Sequence, residues 1–165
     1  MTIRAPYLVV AVAIVALTLA GCSSKPGTTT FTLQSSKAHL EMLPVGPSGH
    51  AMGDLVAFVA PVTRDGKPDG TISGTLVTVD MPADGIGEES FESRISTIVI
   101  RFGPTDCITL SGSAVYPTTA SEMVKSAPQV RAITGGTGAY MGARGQVTTT
   151  HNADGSYTYV VELLQ

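Results

Sequence analysis

The side chains that could carry chemistry are few and scattered. Histidine occurs at His39, His50 and His151, and cysteine at Cys22 and Cys107. No two histidines stand four residues apart and no cysteine cluster accompanies them, so the spacing of a zinc site is missing. No Gly-x-Ser-x-Gly segment exists, which removes the strained turn that exposes a hydrolase serine. Asp65-x-Lys67-x-Asp69-Gly70 begins like a calcium loop. Lys67 stands at a ligand position, however, and Leu76 at the twelfth, where a bidentate glutamate is needed. The segment reads as a hairpin turn. Asp80 and Asp84 flank Pro82 in a loop and read as solvated carboxylates. Gly136-x-Gly138 could open a dinucleotide loop, but the third glycine of that fingerprint falls on Met141, and GQVTTT follows where a helix is required. No metal and no cofactor is expected.

The densest local signal is AITGGTGAYMGARGQV, residues 132–147, with glycine at positions 135, 136, 138, 142 and 145. Glycine weakens regular structure and is placed where φ is positive or backbones approach closely. This is a sharp strand-to-strand corner. Its GGTG-x-Y-x-G-A-R-G core resembles the corner of the allene oxide cyclase and dirigent superfamily. Upstream, Gly53-Asp54-Leu55-Val56-Ala57-Phe58, the turn Asp65-Gly66-Lys67 and Gly70-Thr71-Ile72-Ser73-Gly74 look like that family's GDLVPF-type strand, turn and G-x-x-x-G strand, in the same order. The resemblance covers about residues 50–164.

It implies a closed antiparallel eight-stranded β-barrel and, because allene oxide cyclases and dirigent proteins are trimeric, a homotrimer. It does not imply allene oxide cyclase activity. The family's asparagine falls on Ala60, its cysteine falls on Leu76, and its first-strand glutamate has only Glu41 as a loose counterpart. Arg144 matches the arginine of dirigent-like members, while Gly142 is more cyclase-like. A buried arginine is costly unless paired, and Asp54, from the other matched motif, is the candidate partner. Asp54 and Arg144 are therefore the candidate ligand-binding residues. Together they would bind or polarise a carbonyl or phenolic oxygen of an apolar ligand through charge-assisted hydrogen bonds. The alternative for them is a structural ion pair at a barrel rim.

The elements that must position these residues are strands. Residues 31–35 and 38–43 read as a first short pair. Residues 55–63, LVAFVAPVT, are apolar on both faces, so a neighbouring subunit or the N-terminal segment is expected to cover the outer one. Residues 71–81 alternate, and 94–102 with 106–116 form a hairpin around Gly103-Pro104. Residues 121–125 read as one helical turn in a longer connection. Residues 129–134 lead into the glycine corner, and 156–164 close the chain after the tight turn 152–155. Short strands at regular spacing with hardly any helix indicate a sandwich or barrel. Eight strands are just wide enough to be filled by side chains or to hold one small ligand.

The front of the chain carries a different signal. Arg4, an apolar run over residues 7–19 and Leu19-Ala20-Gly21-Cys22 form a signal peptide. The run falls short of the about 20 residues a spanning helix needs. The ending resembles the bacterial lipobox, which implies cleavage before Cys22 and lipidation of its sulfur. The domain reading is then a signal peptide over 1–21, a flexible tether over 22–30 (SSKPGTTT from Ser23), and a barrel domain over 31–165. Loss of 1–21 removes Arg4 and no acid, taking the net charge from −3 to −4. Such a charge leaves no footprint for nucleic acid. With Cys22 lipidated, Cys107 has no disulfide partner and reads as a small apolar strand residue, a reactive thiol being the second reading.

Two functions stay open, beside a purely structural envelope protein as a third. One is a lipid-anchored protein on the extracytoplasmic face of the membrane whose barrel binds a small hydrophobic ligand. The other is a cofactor-free cyclase, isomerase or dirigent-type guide that shapes an apolar substrate in a dry cavity.

Overall fold

A computed structural model describes residues 27–46, 51–80 and 91–164. The signal peptide, Cys22, His50 and Asp84 lie outside the described residues, as does the side chain of Asp80.

The described chain is built of antiparallel strands: β1 (Thr28–Ser35), β2 (His39–Leu43), β3 (Leu55–Arg64), β4 (Lys67–Asp80), β5 (Phe91–Arg101), β6 (Cys107–Pro117), β7 (Gln129–Thr137), β8 (Gly145–His151) and β9 (Tyr157–Leu164). From β2 to β9 each pairs with the next in sequence, and β9 pairs along the whole of β1. Closure comes from β3, whose two halves meet two different segments. Thr63 pairs with Gln34 of β1, while residues 55–59 pair with β2 from His39↔Val59 to Leu43↔Leu55. β1 and β2 thus run end to end in a single strand position, broken by a bend at 36–38. The sheet has eight positions and closes on itself where β1 meets β3, a closed eight-stranded barrel, which limits the unpaired backbone groups of an open sheet.

Three expectations are corrected. Residues 31–35 and 38–43 do not pair with each other, because each finds a longer partner in β9 or β3. The barrel begins at Thr28 rather than Phe31, since Thr28, Thr29 and Thr30 pair with Leu164, Leu163 and Glu162. Residues 121–125 form no helix. They belong to an irregular strap between β6 and β7, tied to β8 by a bridge from Lys125 to His151 and a hydrogen bond from Ser126 N to His151 O (2.7 Å). The outer face of β3 is not covered by the described residues: Val59 is 45% exposed.

Strand alternation sends every second side chain inward. On β5 the inward set is Glu92, Arg94, Ser96, Ile98 and Ile100. It changes from polar to apolar along the strand, and the other strands repeat the gradient. Leu33, Val62, Ile72, Ile100, Ile108, Val147 and Val161 fill one end. Ser35, Thr78, Tyr116, Thr149, His151 and Tyr157 line the other. The apolar end is the floor. Phe102 seals it, edge-on to Phe31 (6.1 Å) and tilted against Tyr140 (4.9 Å), with the Arg64 guanidinium 4.1 Å above the Phe31 ring.

The glycine corner lies at this floor end. β7 runs into a single 3-10 turn, Gly138–Tyr140, before β8 returns. Gly138 has φ +59°, and a Cβ there would stand 1.9 Å from Asp106 Oδ1.

Candidate functional site

The mouth end holds the polar groups because the barrel brings them inward from seven strands. Two arginines face inward there. Arg94 is fully compensated: its Nε donates to the Glu92 carboxylate, which also accepts from Thr78 Oγ1 (3.1 Å). Its terminal nitrogens donate to the carbonyls of Ser121 (3.0 Å) and Ala120 (2.9 Å). The guanidinium lies 4.5 Å from the centre of the Tyr116 ring. Arg94 therefore pins the strap across the mouth.

Arg131 is different. Only 3% of it is exposed. Its Nε donates to Ser96 Oγ (2.9 Å) and its Nη2 to Tyr116 Oη (2.9 Å), and among the described residues it forms no ion pair. Ser96 is held in turn by the Gly112 carbonyl (2.9 Å).

Between Arg131 and the strap lies a cavity. Leu40, Phe58, Ile72, Leu76, Ile98 and Leu110 form its apolar wall. Tyr116, Tyr157, Tyr159, Thr149, Glu122 and Arg131 supply its polar groups. The space open to the centre of a water-sized sphere is about 50 Å³. One ordered water occupies about 10–15 Å³ on that measure, so this is a narrow slot.

Burial sets the chemistry of its phenols. Tyr159 is pushed up to about 12, with Ser35 Oγ at 3.2 Å from its hydroxyl. Tyr157 is raised further, by burial first and then by the neighbouring Glu122 carboxylate, to which its hydroxyl donates (3.4 Å). Tyr116 is raised by burial despite the two nearby arginines. All three are neutral hydroxyls at physiological pH. His151 is buried, stacks on Tyr157 at 4.6 Å, and donates from Nδ1 to the Met123 carbonyl (2.7 Å). That contact places Met123, itself buried, against the cavity from above.

The residues singled out from sequence fall elsewhere. Asp54 is buried at the mouth end, where its carboxylate accepts from the backbone N–H of Val45 (2.9 Å) and Ala51 (2.8 Å). It closes the β2–β3 connection. Arg144 is exposed beside the glycine corner, at the floor end. The barrel keeps Asp54 and Arg144 at opposite ends and forms no pair between them. Leu76 lines the cavity, Ala60 packs in the core, and Glu41 is exposed. Cys107 is half-buried, its sulfur 3.1 Å from Thr137 Oγ1. Among the described residues no three His, Cys, Asp or Glu side chains converge as a metal site would require.

Fold and site together define a class: a closed antiparallel barrel with an aromatic floor and a narrow, mostly apolar cavity under a strapped mouth. Solved structures share this barrel. A pyocyanin demethylase superposes with a TM-score of 0.61 at 24% identity, over 82% of this chain and 98% of that one. The Diels-Alderase AbmU from Streptomyces koyangensis gives 0.57 at 14% identity, over 87% and 71%. A pterocarpan synthase dirigent protein gives 0.56 at 18% identity, over 93% and 97%. No family model and no curated protein sequence matches the chain.

Proposed function

We propose that this protein is a lipid-anchored, extracytoplasmic protein whose barrel binds one small hydrophobic molecule. The observation that carries the reading is the cavity: an apolar slot beneath the strap, with neutral hydroxyls and one guanidinium around it. A few placed polar groups in an apolar pocket are the usual make-up of a small-molecule site. The slot is small, and movement of the strap would admit a larger molecule. The barrels it resembles in shape are named for work on small organic molecules, which supports the same kind of occupant.

The anchor rests on Leu19-Ala20-Gly21-Cys22. Each buried methylene contributes about 0.8 kcal/mol, and one acyl chain holds only marginally. A diacylglyceryl cysteine carries two chains and holds firmly. Exposed Val59, Ile95, Val115 and Val130 on the outer wall suit self-association, a homotrimer in the reading taken from the resemblance.

The test is native mass spectrometry of the protein from its own membranes, with organic extraction of whatever it carries. A stoichiometric apolar small molecule supports the reading. A protein that stays empty after exposure to a host lipid extract removes it. The second reading, a cofactor-free cyclase, isomerase or guide, is favoured by the contact between Tyr157 and Glu122 at the cavity. It requires that an extracted candidate be recovered chemically changed after incubation.

A further inference from the structure

We infer that Arg131 is an anion-binding residue, and that the barrel's ligand carries an ionised oxygen on an apolar body. This rests on the reading of the barrel as a small-molecule cup and names the chemistry of what fills it.

The argument starts from the contrast between the two interior arginines. Arg94 has its own carboxylate, Glu92, and two backbone carbonyls. Arg131 is equally buried and has only the neutral oxygens of Ser96 and Tyr116. A guanidinium offers five N–H donors and cannot shed its proton. Two of the five have acceptors among the described residues. A buried cation left in this state costs stability, and a chain that keeps one needs a compensating partner. The cavity is where that partner can come from, since Arg131 lines it together with Leu76, Ile98 and Leu110.

Among the described residues, the surroundings favour an anion from outside over one already on the cavity wall. Ser96 and Tyr116 hold the guanidinium on its Nε and Nη2 side, leaving the rest of the fork for the cavity. Glu122, the carboxylate on the cavity wall, is committed to the Tyr157 hydroxyl. Tyr116, Tyr157 and Tyr159 remain neutral and cannot supply negative charge. A carboxylate, an enolate and a phenolate all present the required oxygen.

The probes are 2-naphthoate, its neutral methyl ester, and 4-nitrophenol, whose absorbance reports its ionisation. Binding is measured on the intact protein in lipid nanodiscs, with empty nanodiscs as the blank. The acid should bind about tenfold or more tightly than the ester, the usual margin for a charge-assisted hydrogen bond. Arg131→Met should abolish that preference and Arg131→Lys retain part of it. Bound 4-nitrophenol should ionise at lower pH than free, and lose this in Arg131→Met. A preference for naphthoate without the nitrophenol shift would assign the site to carboxylates, and the reverse to phenolates.

Removing an uncompensated buried charge should leave the Tm of Arg131→Met unchanged or raised. A merely structural arginine behaves in the opposite way: its loss lowers Tm and leaves the acid-to-ester ratio untouched. Equal binding of acid and ester by the wild type overturns the inference and leaves the cup standing. Binding of neither, with the protein folded, overturns the cup itself. Should Arg131→Met not fold, the wild-type ratio and the Arg131→Lys ratio decide the question.

Discussion

Glu92 and Arg94 stand two apart on β5, so strand alternation turns both inward, and the carboxylate exists there to neutralise the guanidinium. Breaking a buried pair costs more than the pair is worth, because the surviving charge stays behind. Glu92→Gln is expected to destabilise the protein by about 3–5 kcal/mol in urea unfolding. Adding Arg94→Met should recover part of that loss. Burial of the phenols adds a pH effect of definite sign. Tyr159 ionises near 12 in the folded state and near 10 when unfolded. Its stabilisation is complete below pH 10 and is lost as pH rises from there toward 12, since the unfolded chain gives up its proton first. The urea midpoint should fall over that window, and Tyr159→Phe should flatten the fall. These interior charges were not legible in the sequence. In QVRAIT, residues 129–134, Val130 and Ala132 make the opposite phase look like the buried one, so Arg131 reads as a solvent-facing residue. Only the inward phase of the neighbouring strands decides between the two. Arg144 drew attention because it stands in a recognisable motif, yet that motif builds the floor end, away from the cavity.

At the scale of elements, the turns and the corner were legible and the connections were not. Glycine corners announce themselves because a backbone position forbids other residues. Gly136 is such a position: a Cβ there would stand 2.4 Å from the Tyr140 carbonyl oxygen and 2.6 Å from that of Cys107. Backbone cannot swing aside as a side chain can. Gly136→Ala should therefore cost about 1–3 kcal/mol. Gly135→Ala, whose Cβ would meet nothing closer than Thr109 Oγ1 at 3.4 Å, should cost far less. Thermal unfolding of the two single variants checks the contrast. The strap between β6 and β7 looked helical because Glu122, Met123, Val124 and Lys125 are acceptable helix residues. Propensity lost there to tertiary partners: Arg94 takes two of its carbonyls and His151 a third. Met123 is the part of the strap that fills the mouth. Met123→Ala should lower stability by about 2 kcal/mol and speed uptake of naphthoate in stopped-flow fluorescence.

At the scale of the whole molecule, the barrel has a direction. β1 starts at Thr28 beside Leu164, at the floor end, whereas the cavity lies toward the other, under the strap. Five residues lie between Cys22 and Thr28, six steps of the chain. A chain of that length reaches about 20 Å at most when fully extended. The anchor proposed at Cys22 would therefore hold the aromatic floor and the glycine corner close to the bilayer. Met141, 83% exposed, and Leu164 sit on that end. With the proposed anchor, the mouth at the opposite end would face the aqueous side, and the proposed ligand would enter from water rather than sideways from lipid. The chain has no tryptophan, so a single introduced one is a clean reporter. Met141→Trp, in protein reconstituted into vesicles of brominated phospholipid, should be quenched. Tryptophan at Met52, in the mouth-end loop, should stay bright. In Cys22→Ser the protein should leave the membrane fraction altogether. Equal quenching at 141 and 52 would mean that the barrel lies on its side, with the exposed valines of its wall against the lipid rather than against a second copy.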